Sequence, residues 1–396
     1  MSVLSLIGAV SLAAWLYLLL FHGGFWRARE RLPQEPPVPQ GWPGVVAVLP
    51  ARDEAETIKE VLERLVAQDY PGLFSILLVD DGSSDGTDAI AHEVARAAPP
   101  HRPVAVLAGS SLPEGWTGKL WALSQGVERA QALCPDAEFL LFTDADIGHG
   151  PRQLRRLVAQ ALAHQADLVS LMAHLRCASF WERLLIPAFV YFFQKLYPFA
   201  WANDPNRKTA AAAGGCVLIR AAALARIGGI ATIRGRLIDD CSLARAVKEN
   251  GGRIWLGLAD HTVSLRGYTR LRPIWAMVAR SAYTQLLHSP LLLIGTAIGM
   301  ALLYLAPPLL ALTWPLHGDA TAGLAGALAW LLMTASYVPM LRYYGRSPIE
   351  GLLLPKAGFL YTLMTLDSAR LYYRRGGNRW KGRDYGRAGA ADRSAS

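Results

Sequence analysis

The stretch Phe-Leu-Leu-Phe-Thr-Asp-Ala-Asp at residues 139–146 decides the fold, because an apolar run stops there at two carboxylates one residue apart. In open α/β sheets, ligands bind outside the carboxyl ends of the strands. Two carboxylates at such an end can hold a hard divalent cation, and the cation can in turn hold a diphosphate. An Asp-x-Asp pair arises easily by chance in a chain of 396 residues, so the surrounding pattern carries the inference.

Short apolar runs recur about every 30 residues around this stretch. They lie at residues 45–49, 76–79, 104–107, 139–142 and 168–171, which is the spacing of strand–helix–strand units. The segments 54–68 and 152–164 between them place apolar residues on one face of a helix. Nearly continuous apolar strands indicate a sheet that is covered on both faces. The sequence therefore predicts an α/β domain with a Rossmann-like, mostly parallel sheet.

Polar and acidic clusters follow three of the five predicted strands. Their candidate ligand-binding residues are Pro50, Arg52, Asp53 and Glu54 in the first, Asp80 and Asp81 in the second, and Asp144 and Asp146 in the third. Parallel strands point their carboxyl ends to one edge of a sheet, so the clusters should converge. Neither a Gly-x-Gly-x-x-Gly fingerprint nor a P-loop is present. We therefore expect carboxylates to contact a nucleotide: Asp53 and Asp81 its base and ribose, and the third cluster, through a cation, its phosphates.

Calcium binding is an alternative for residues 81–86, since Asp-Gly-Ser-Ser-Asp-Gly resembles the start of an EF-hand loop. The twelfth position of that loop holds His92 instead of the required Glu, and the run follows a strand instead of a helix. Both departures favour nucleotide contact.

The composition indicates a membrane protein, with 52% hydrophobic and 18% charged residues. Residues 3–21 are long enough to span a hydrocarbon core, and residues 291–313 and 321–341 predict two further spans. A cleaved signal peptide is the alternative for the first, but it lacks a basic segment ahead of the apolar run. Arg27, Arg29 and Arg31 follow it, which predicts an external N-terminus and a cytoplasmic domain.

Two other apolar segments are too interrupted by charge to span. Residues 180–201 contain nine aromatic residues together with charged ones, which favours a helix at the membrane interface, with a core helix pair as the alternative. Residues 349–373 predict a re-entrant or interfacial helix, because a full crossing would export the basic tail behind it.

The expected organisation has five parts. They are an N-terminal anchor at 1–26, a basic, Pro-rich linker at 27–44, a catalytic domain at 45–280 with its interfacial segment at 179–201, a pair of spans at 288–345, and an interfacial helix with a basic tail at 346–396. The net charge of +9 gathers near the membrane segments, which indicates attraction to anionic lipids and no nucleic-acid partner. Four widely spaced cysteines indicate buried, reduced thiols.

Over residues 45–280 the chain resembles the family 2 glycosyltransferases of the GT-A fold. Four motifs stand in the family's order: 50–54 and 80–85 resemble its nucleotide-contacting segments, 144–146 its metal motif, and Ile238-Asp239-Asp240 its acceptor-side motif. A Gln-x-x-Arg-Trp motif of processive synthases is absent, which argues for transfer of a single sugar. The order of elements and the segment 380–385 resemble, more narrowly, the hopene-associated glycosyltransferases, which implies a polycyclic-lipid context; carotenoid-modifying glycosyltransferases share much of the plan.

The resemblance implies roles for particular residues. Asp144 and Asp146 would hold Mn²⁺ or Mg²⁺, with Asp146 the more direct ligand, and Asp240, with Asp239 beside it, would be the general base. The alternative for both Asp239 and Asp240 is an N-cap of a helix at 242–250. Lys119 is placed to contact phosphate, with a solvated lysine as the alternative.

Two further candidates are weaker. Gly214-Gly215 could let the backbone approach the donor sugar, although a tight turn explains the pair equally well. His261 could be a third metal ligand, although a hydrogen-bonded histidine at a strand end is the favoured interpretation.

The expected protein is a multi-pass enzyme of a bacterial-type inner membrane with its catalytic domain in the cytoplasm. It would be an inverting, metal-dependent glycosyltransferase that moves one sugar from a UDP-linked donor to a lipid hydroxyl, with a hopanoid-type lipid as one acceptor. The alternatives are sugar transfer to polyprenyl phosphate and a non-catalytic membrane scaffold that binds a nucleotide-sugar. A transporter is disfavoured because three spans make a poor pathway.

Overall fold

The computed structural model describes residues 2–375, 377–380 and 383–386. Its strands, in chain order, are β1 Gly44–Ala51, β2 Phe74–Asp80, β3 Val104–Ala108, β4 Ala137–Thr143, β5 Ile147–His149, β6 Leu168–His174, β7 Cys216–Arg220, β8 Ile254–Ser264, β9 Gly377–Trp380 and β10 Arg383–Gly386. The last two pair as a separate hairpin.

Helices surround the sheet and extend from it. They are α1 Val3–Phe21, α2 Ile58–Val66, α3 Thr87–Ala97, α4 Gly118–Leu133, α5 Gln153–Ala163, α6 Phe180–Leu196, α7 Phe199–Asn203, α8 Ala221–Arg226, α9 Asp239–Glu249, α10 Leu271–Gln285, α11 Pro290–Met300, α12 Ala306–Leu312, α13 Trp314–His317, α14 Ala320–Tyr343 and α15 Leu354–Arg375. Short 3₁₀ turns lie at Phe25–Arg27, Ile230–Ile233 and Pro348–Leu353, and a π-helical turn at Ala301–Leu305 joins α11 to α12.

Eight strands form one sheet in the order β3-β2-β1-β4-β7-β6-β8-β5. The pairs β1–β2, β1–β4, β2–β3 and β6–β8 are parallel. Strand β7 is antiparallel to β4 and β6, and β5 is antiparallel to β8. The predicted α/β fold with a mostly parallel, Rossmann-like sheet is confirmed, and the carboxyl ends of β1, β2 and β4 do meet at one edge.

Three strands of the eight-stranded sheet were not among the five predicted ones. Strand β7 is as apolar as its neighbours. Its apolar composition indicates a strand covered on both faces but does not reveal the direction in which the strand runs. Strand β8 carries the polar residues Asp260, His261 and Thr262 in its second half, which breaks the apolar run. Strand β5 has only three residues, too few for a periodic pattern.

Strand β1 shows how the sheet is buried on both faces. Val45, Ala47 and Leu49 pack into the core that α2, α3 and α5 cover, whereas Val46 and Val48 point into the core on the opposite face. All five are at most 2% exposed. Burial of such side chains contributes roughly 1.5–3 kcal/mol each, so this strand anchors the loop that follows it.

Three helical segments are long and apolar enough to cross a membrane in the part of the chain that the structure describes. They are Val3–Phe21, Pro290–Leu312 and Ala320–Tyr343, and their limits lie within two residues of the predicted ones. Gly8 lets α1 approach α14, since a β-carbon on Gly8 would lie 3.1 Å from the β-carbon of Ala325. Small residues at such contacts are typical of helices packed in membranes.

Helices α6 and α15 lie between the sheet domain and these spans. Tyr191 of α6 is fully buried and bonds the Ser336 hydroxyl of α14 at 2.6 Å, while Phe180 at the start of α6 is 70% exposed. The Tyr361 hydroxyl of α15 donates to the Leu185 carbonyl of α6 at 2.9 Å. Helix α6 therefore combines a buried core face with an exposed aromatic end.

Three smaller expectations concern the cysteines, the start of α2 and the segment 380–385. The cysteines are free thiols, two of them buried and two half-buried. Helix α2 begins at Ile58, later than predicted, because residues 54–57 form the turn that leads out of β1. Within the segment 380–385, residues 381 and 382 lie outside the described residues.

Candidate active site

The turn from β4 to β5 carries Asp144 and Asp146 at the edge where the predicted clusters meet. Two hydrogen bonds hold its backbone, and a third holds the side chain of Thr143, which precedes it. The Thr57 hydroxyl donates to the Ala145 carbonyl at 2.9 Å, and the Leu265 N–H donates to the Asp146 carbonyl at 2.8 Å. The Thr143 hydroxyl also bonds Nε2 of His149 at 2.8 Å. The two carboxylates therefore project from a fixed backbone.

His149 is buried directly behind this turn. Burial lowers its pKa to about 4, and the nearby Arg64 adds to the effect. The imidazole is thus neutral near pH 7 and acts as a hydrogen-bonding support, with its Nδ1 3.3 Å from the Thr262 hydroxyl.

Lys119 lies in the first turn of α4 and points into the site. Its Nζ is 2.8 Å from Asp144 Oδ1 and 3.3 Å from Asp239 Oδ2. Burial alone would lower the pKa of Lys119, but Asp144 and Asp239 outweigh that effect and raise it. Burial raises the pKa of Asp144, against the attraction of Lys119. The side chain is ion-paired on both sides, which differs from the solvated lysine that the sequence left open.

Asp239 and Asp240 form the first turn of α9, which begins three residues earlier than predicted. The two oxygens of Asp240 accept from Gly214 N–H at 2.8 Å and from Cys241 N–H at 2.7 Å. Ile238 is the N-cap, and no side chain caps it. Asp239 and Asp240 lie inside the helix, so the capping alternative is wrong for both, although Asp240 does satisfy the Cys241 amide of the first turn.

Burial raises the pKa of Asp240 to about 6, and the neighbouring Asp239 carboxylate adds to the increase while Lys119 opposes it. A carboxylate with this pKa is mostly ionised at pH 7 yet more basic than an ordinary aspartate. Gly214 packs closely beside it, since a β-carbon there would lie 3.1 Å from Lys119 Nζ and 3.4 Å from Asp240 Oδ2. Of the two interpretations of the Gly214-Gly215 pair, the structure shows the tight turn, which the Cys216 N–H closes on the Ala213 carbonyl at 3.3 Å.

The loops after β1 and β2 interlock at the other side of the site. The Asp53 backbone is in the left-handed region (φ 50°), and its carboxylate accepts from Ser84 N–H at 2.8 Å. Arg52 donates to the Asp81 carbonyl and lies 3.9 Å from its carboxylate. One oxygen of Asp80, Oδ1, is buried and has no hydrogen-bond partner. A left-handed conformation in a residue other than glycine is concentrated at ligand sites.

Pro50 and Glu54 lie at different parts of this region. Pro50 lines a small cavity together with Lys119, Asp144, Asp239 and Asp240. Glu54 is bound by Arg266, a residue that the sequence analysis missed. The guanidinium of Arg266 also donates from Nε to Asp146 Oδ2 at 3.0 Å. No signal in the sequence marks Arg266, because strand β8, which it follows, was not among the predicted strands.

A divalent cation fits the chemistry of these side chains. Five carboxylates face two basic groups in one ion-paired network: Glu54, Asp144, Asp146, Asp239 and Asp240 against Lys119 and Arg266. Carboxylate oxygens are the ligands that Mg²⁺ and Mn²⁺ prefer. Among the described residues, no group of three His, Cys, Asp or Glu side chains is arranged to hold a metal. His261 is exposed and packs against Gly150, so the structure gives it no part in such a group.

Comparisons with known proteins agree with this architecture. Residues 46–228 match the model of the family described as glycosyl transferase family 2. Glycosyltransferase AglE of Haloferax volcanii is 29% identical over 128 residues, which are 32% of this chain and 38% of that protein. The alignment with this curated relative therefore spans well under half of its length.

The chain is also similar to solved structures, of which the first named here shares its fold. The mannosyltransferase PcManGT from Pyrobaculum calidifontis, solved in complex with GDP-Man and Mn²⁺, superposes with a TM-score of 0.52 at 20% identity, covering 93% of this chain and 98% of that one. Glucosyl-3-phosphoglycerate synthase from Mycobacterium tuberculosis, in complex with Mn²⁺, UDP and glucosyl-3-phosphoglycerate, gives 0.41 at 19% identity over 65% and 86% of the two chains. The family match thus covers just under half of the chain, and PcManGT shares its fold.

Proposed function

We propose that this chain is a membrane-bound, metal-dependent, inverting glycosyltransferase that moves a single sugar from a nucleotide-sugar, UDP-linked, to the hydroxyl of a lipid such as a hopanoid. The observation that carries the proposal is the convergence of Asp144, Asp239 and Asp240 around Lys119, with Asp146 beside Asp144, in a chain that also holds three candidate spans. The relatives named above include enzymes solved with UDP or GDP-Man and Mn²⁺.

Asp144 and Asp146 would hold the divalent cation, Mn²⁺ or Mg²⁺. When bound, such an ion neutralises charge on a diphosphate leaving group. Lys119 and Arg266, which pair with these carboxylates, lie where their positive charge can also act on the diphosphate. Asp53, Asp80 and Asp81 lie in the interlocked loops on the nucleotide side, and the unpartnered Asp80 oxygen can accept a hydrogen bond from the donor.

Asp240 would act as the general base. The acceptor oxygen attacks the anomeric carbon as the bond from that carbon to the diphosphate oxygen breaks, and the hydroxyl proton passes to the Asp240 carboxylate. Attack from the side opposite the leaving group inverts the anomeric configuration. The bonds from Gly214 and Cys241 N–H fix the carboxylate, so its orientation does not depend on substrate.

The membrane segments would place this reaction at the cytoplasmic face of a bacterial-type inner membrane. Arg27, Arg29 and Arg31 follow the first span. Asp319, the N-cap of α14, accepts a hydrogen bond at 2.7 Å from the hydroxyl of Ser5, which lies near the N-terminus. The N-terminus and residue 319 therefore share one side of the span bundle, and the catalytic domain lies on the other side.

A phosphate-bearing acceptor, polyprenyl phosphate, is the second candidate, and one observation favours it. Arg176 packs over Gly267, 3.2 Å from the position of a β-carbon there, and Arg280 interacts electrostatically with Tyr268. Both guanidinium groups thus lie close to the segment that carries Arg266, where an acceptor phosphate would approach. Such an acceptor is already anionic and needs no general base.

The proposal is tested by nucleotide release from a panel of UDP- and GDP-sugars, with Mn²⁺ and a membrane-lipid extract. Wild type is compared with Asp146→Asn, Asp240→Asn and Glu249→Gln, the last being an exposed control at the far end of α9. Lipid-dependent release that is lost in both aspartate variants and kept in the control supports the hydroxyl acceptor. Activity retained in Asp240→Asn but lost in Asp146→Asn favours the phosphate acceptor. Nucleotide binding without transfer by wild type favours the non-catalytic scaffold.

A further inference from the structure

An apolar groove lies beside the first turns of α6, outside the carboxylate cluster. Trp181 and Leu184 of α6 line one part of it, Pro308 and Leu309 of α12 line a second, and Phe359 of α15 lines a third. Its volume is 480 Å³, within the range of about 300–1,000 Å³ that is typical of small-molecule sites. Lys356 is the one charged residue among those that line it.

The wall formed by the second candidate span is irregular at this point. A π-helical turn at Ala301–Leu305 interrupts the helix, and Pro307 and Pro308 follow directly. π-helical turns inside α-helices occur frequently at functional sites. Because this wall belongs to a segment that can cross a membrane, hydrocarbon is the medium that reaches the groove.

The wall formed by α6 is connected to the carboxylate cluster by hydrogen bonds. Ser179 and Glu182 form the capping box of α6 and also hold the backbone of Tyr268 on both sides. The Tyr268 N–H donates to Glu182 Oε1 at 2.6 Å, and the Ser179 hydroxyl donates to the Tyr268 carbonyl at 3.2 Å. Two residues before Tyr268, Arg266 binds Asp146. The groove and the cation-binding carboxylates therefore share one rigidly bonded segment.

Glu182 contributes no free charge to the groove. Burial opposes its ionisation, but donors from the Ser179, Tyr268 and Ala178 backbone outweigh this and lower the pKa of the carboxylate. The Glu182 carboxylate is thus neutralised by backbone N–H donors within the protein. The surface next to Trp181 therefore stays suited to an apolar ligand.

We propose that this groove binds the hydrocarbon chain of the lipid acceptor, so that the chain is held along α6 while its polar end reaches the carboxylate cluster. This inference rests on the proposed function and adds the site by which the enzyme recognises the acceptor. The occupant is a hydrocarbon chain of the acceptor itself and not a bulk lipid. The reason is that the groove wall is hydrogen-bonded to the segment whose Arg266 binds Asp146, and only the acceptor has to reach that carboxylate.

The first test uses acceptor alcohols too short to form micelles, in a series of increasing chain length. KM should fall by up to about fourfold for each added methylene while the chain still fits the groove. Leu309→Trp, at a side chain that is 59% exposed, should flatten this dependence by filling the groove. Leu331→Trp, on α14 at 63% exposure and absent from the groove lining, is the matched control and should leave the dependence unchanged.

The second test does not depend on turnover. A long-chain alcohol that carries a photoreactive diazirine in its chain should label peptides of α6, α12 or α15, and longer acceptor alcohols should compete with the labelling. Equal effects of Leu309→Trp and Leu331→Trp, labelling elsewhere, or equal competition by ordinary phospholipid would overturn the groove assignment. If wild type transfers sugar to no lipid but groove labelling persists with chain-length competition, the proposed function fails and the binding site stands.

Discussion

The Lys119 ammonium lies 2.8 Å from an oxygen of Asp144, and the two residues belong to successive elements of the chain. Lys119 opens helix α4, whereas Asp144 follows strand β4. The same ammonium is 3.3 Å from Asp239 at the start of α9. One cation therefore links the metal-motif turn to the carboxylate pair proposed for the acceptor side.

Replacement of Lys119 by Met should destabilise the protein and disturb this link. Removing one partner of a mostly buried ion pair costs about 3–5 kcal/mol in general; since Lys119 is 23% exposed, we expect the lower part of that range. Thermal unfolding measures the loss, and Lys59→Met at an exposed position of α2 is the control. Equal melting temperatures for both variants would show that the pair contributes nothing.

Replacement of Arg266 by Gln should strengthen Mn²⁺ binding in the absence of nucleotide, because Arg266 no longer competes for Asp146. The same variant should weaken binding of UDP in the presence of Mn²⁺, since a positive charge near the diphosphate is lost. Electron paramagnetic resonance of free Mn²⁺ measures the first effect and calorimetry the second. Arg270→Gln, at an exposed neighbour, should change neither; a parallel change in both variants would assign the effect to net charge alone.

The pH dependence of transfer should report Asp240. With its pKa raised to about 6, the carboxylate is protonated below that pH and cannot accept the hydroxyl proton. Initial kcat/KM should therefore rise about tenfold per pH unit below pH 6 and level off above it. Asp240→Asn should lower the plateau by about 10²–10⁴ and remove the slope. A slope that survives in Asp240→Asn would assign the titration to another group.

Replacement of Gly126 by Ala should test the packing that positions Lys119. A β-carbon at Gly126 would lie 2.3 Å from Cγ1 of Val48 and 3.0 Å from Cγ2 of Val79, so α4 would have to shift from the sheet. Overpacking of this kind costs about 1–3 kcal/mol, which denaturant unfolding can measure. Gly41→Ala meets no atom within 4 Å and should be nearly neutral. Similar losses in the two variants would contradict the packing explanation.

The sequence predicted those features that depend on local pattern. Apolar runs located strands β1, β2, β3, β4 and β6, and uninterrupted hydrophobicity located the spans, because both signals are properties of a short segment. The clusters containing Asp53, Asp81 and Asp144 follow from the geometry of parallel strands, which fixes the shared edge without knowledge of side-chain contacts.

Long-range pairing could not be predicted in the same way. The direction of β7 depends on the loops that place it between β4 and β6, and a buried strand has the same composition in either direction. The contact between Arg266 and Asp146 joins residues 120 positions apart. Nothing in the segment around Arg266 distinguishes it from the many other arginines of this basic chain, so only the folded structure reveals its place.

The central claim is that the protein transfers a sugar to a lipid acceptor and that this transfer requires the cation proposed to bind Asp144 and Asp146. The most direct measurement is the molar ratio of released nucleotide to sugar recovered in the lipid fraction, determined by mass spectrometry with and without Mn²⁺. The account predicts a ratio near one with Mn²⁺ and no product in Asp146→Asn. Nucleotide release with no sugar in the lipid fraction, or lipid product unaffected by Asp146→Asn, would contradict it.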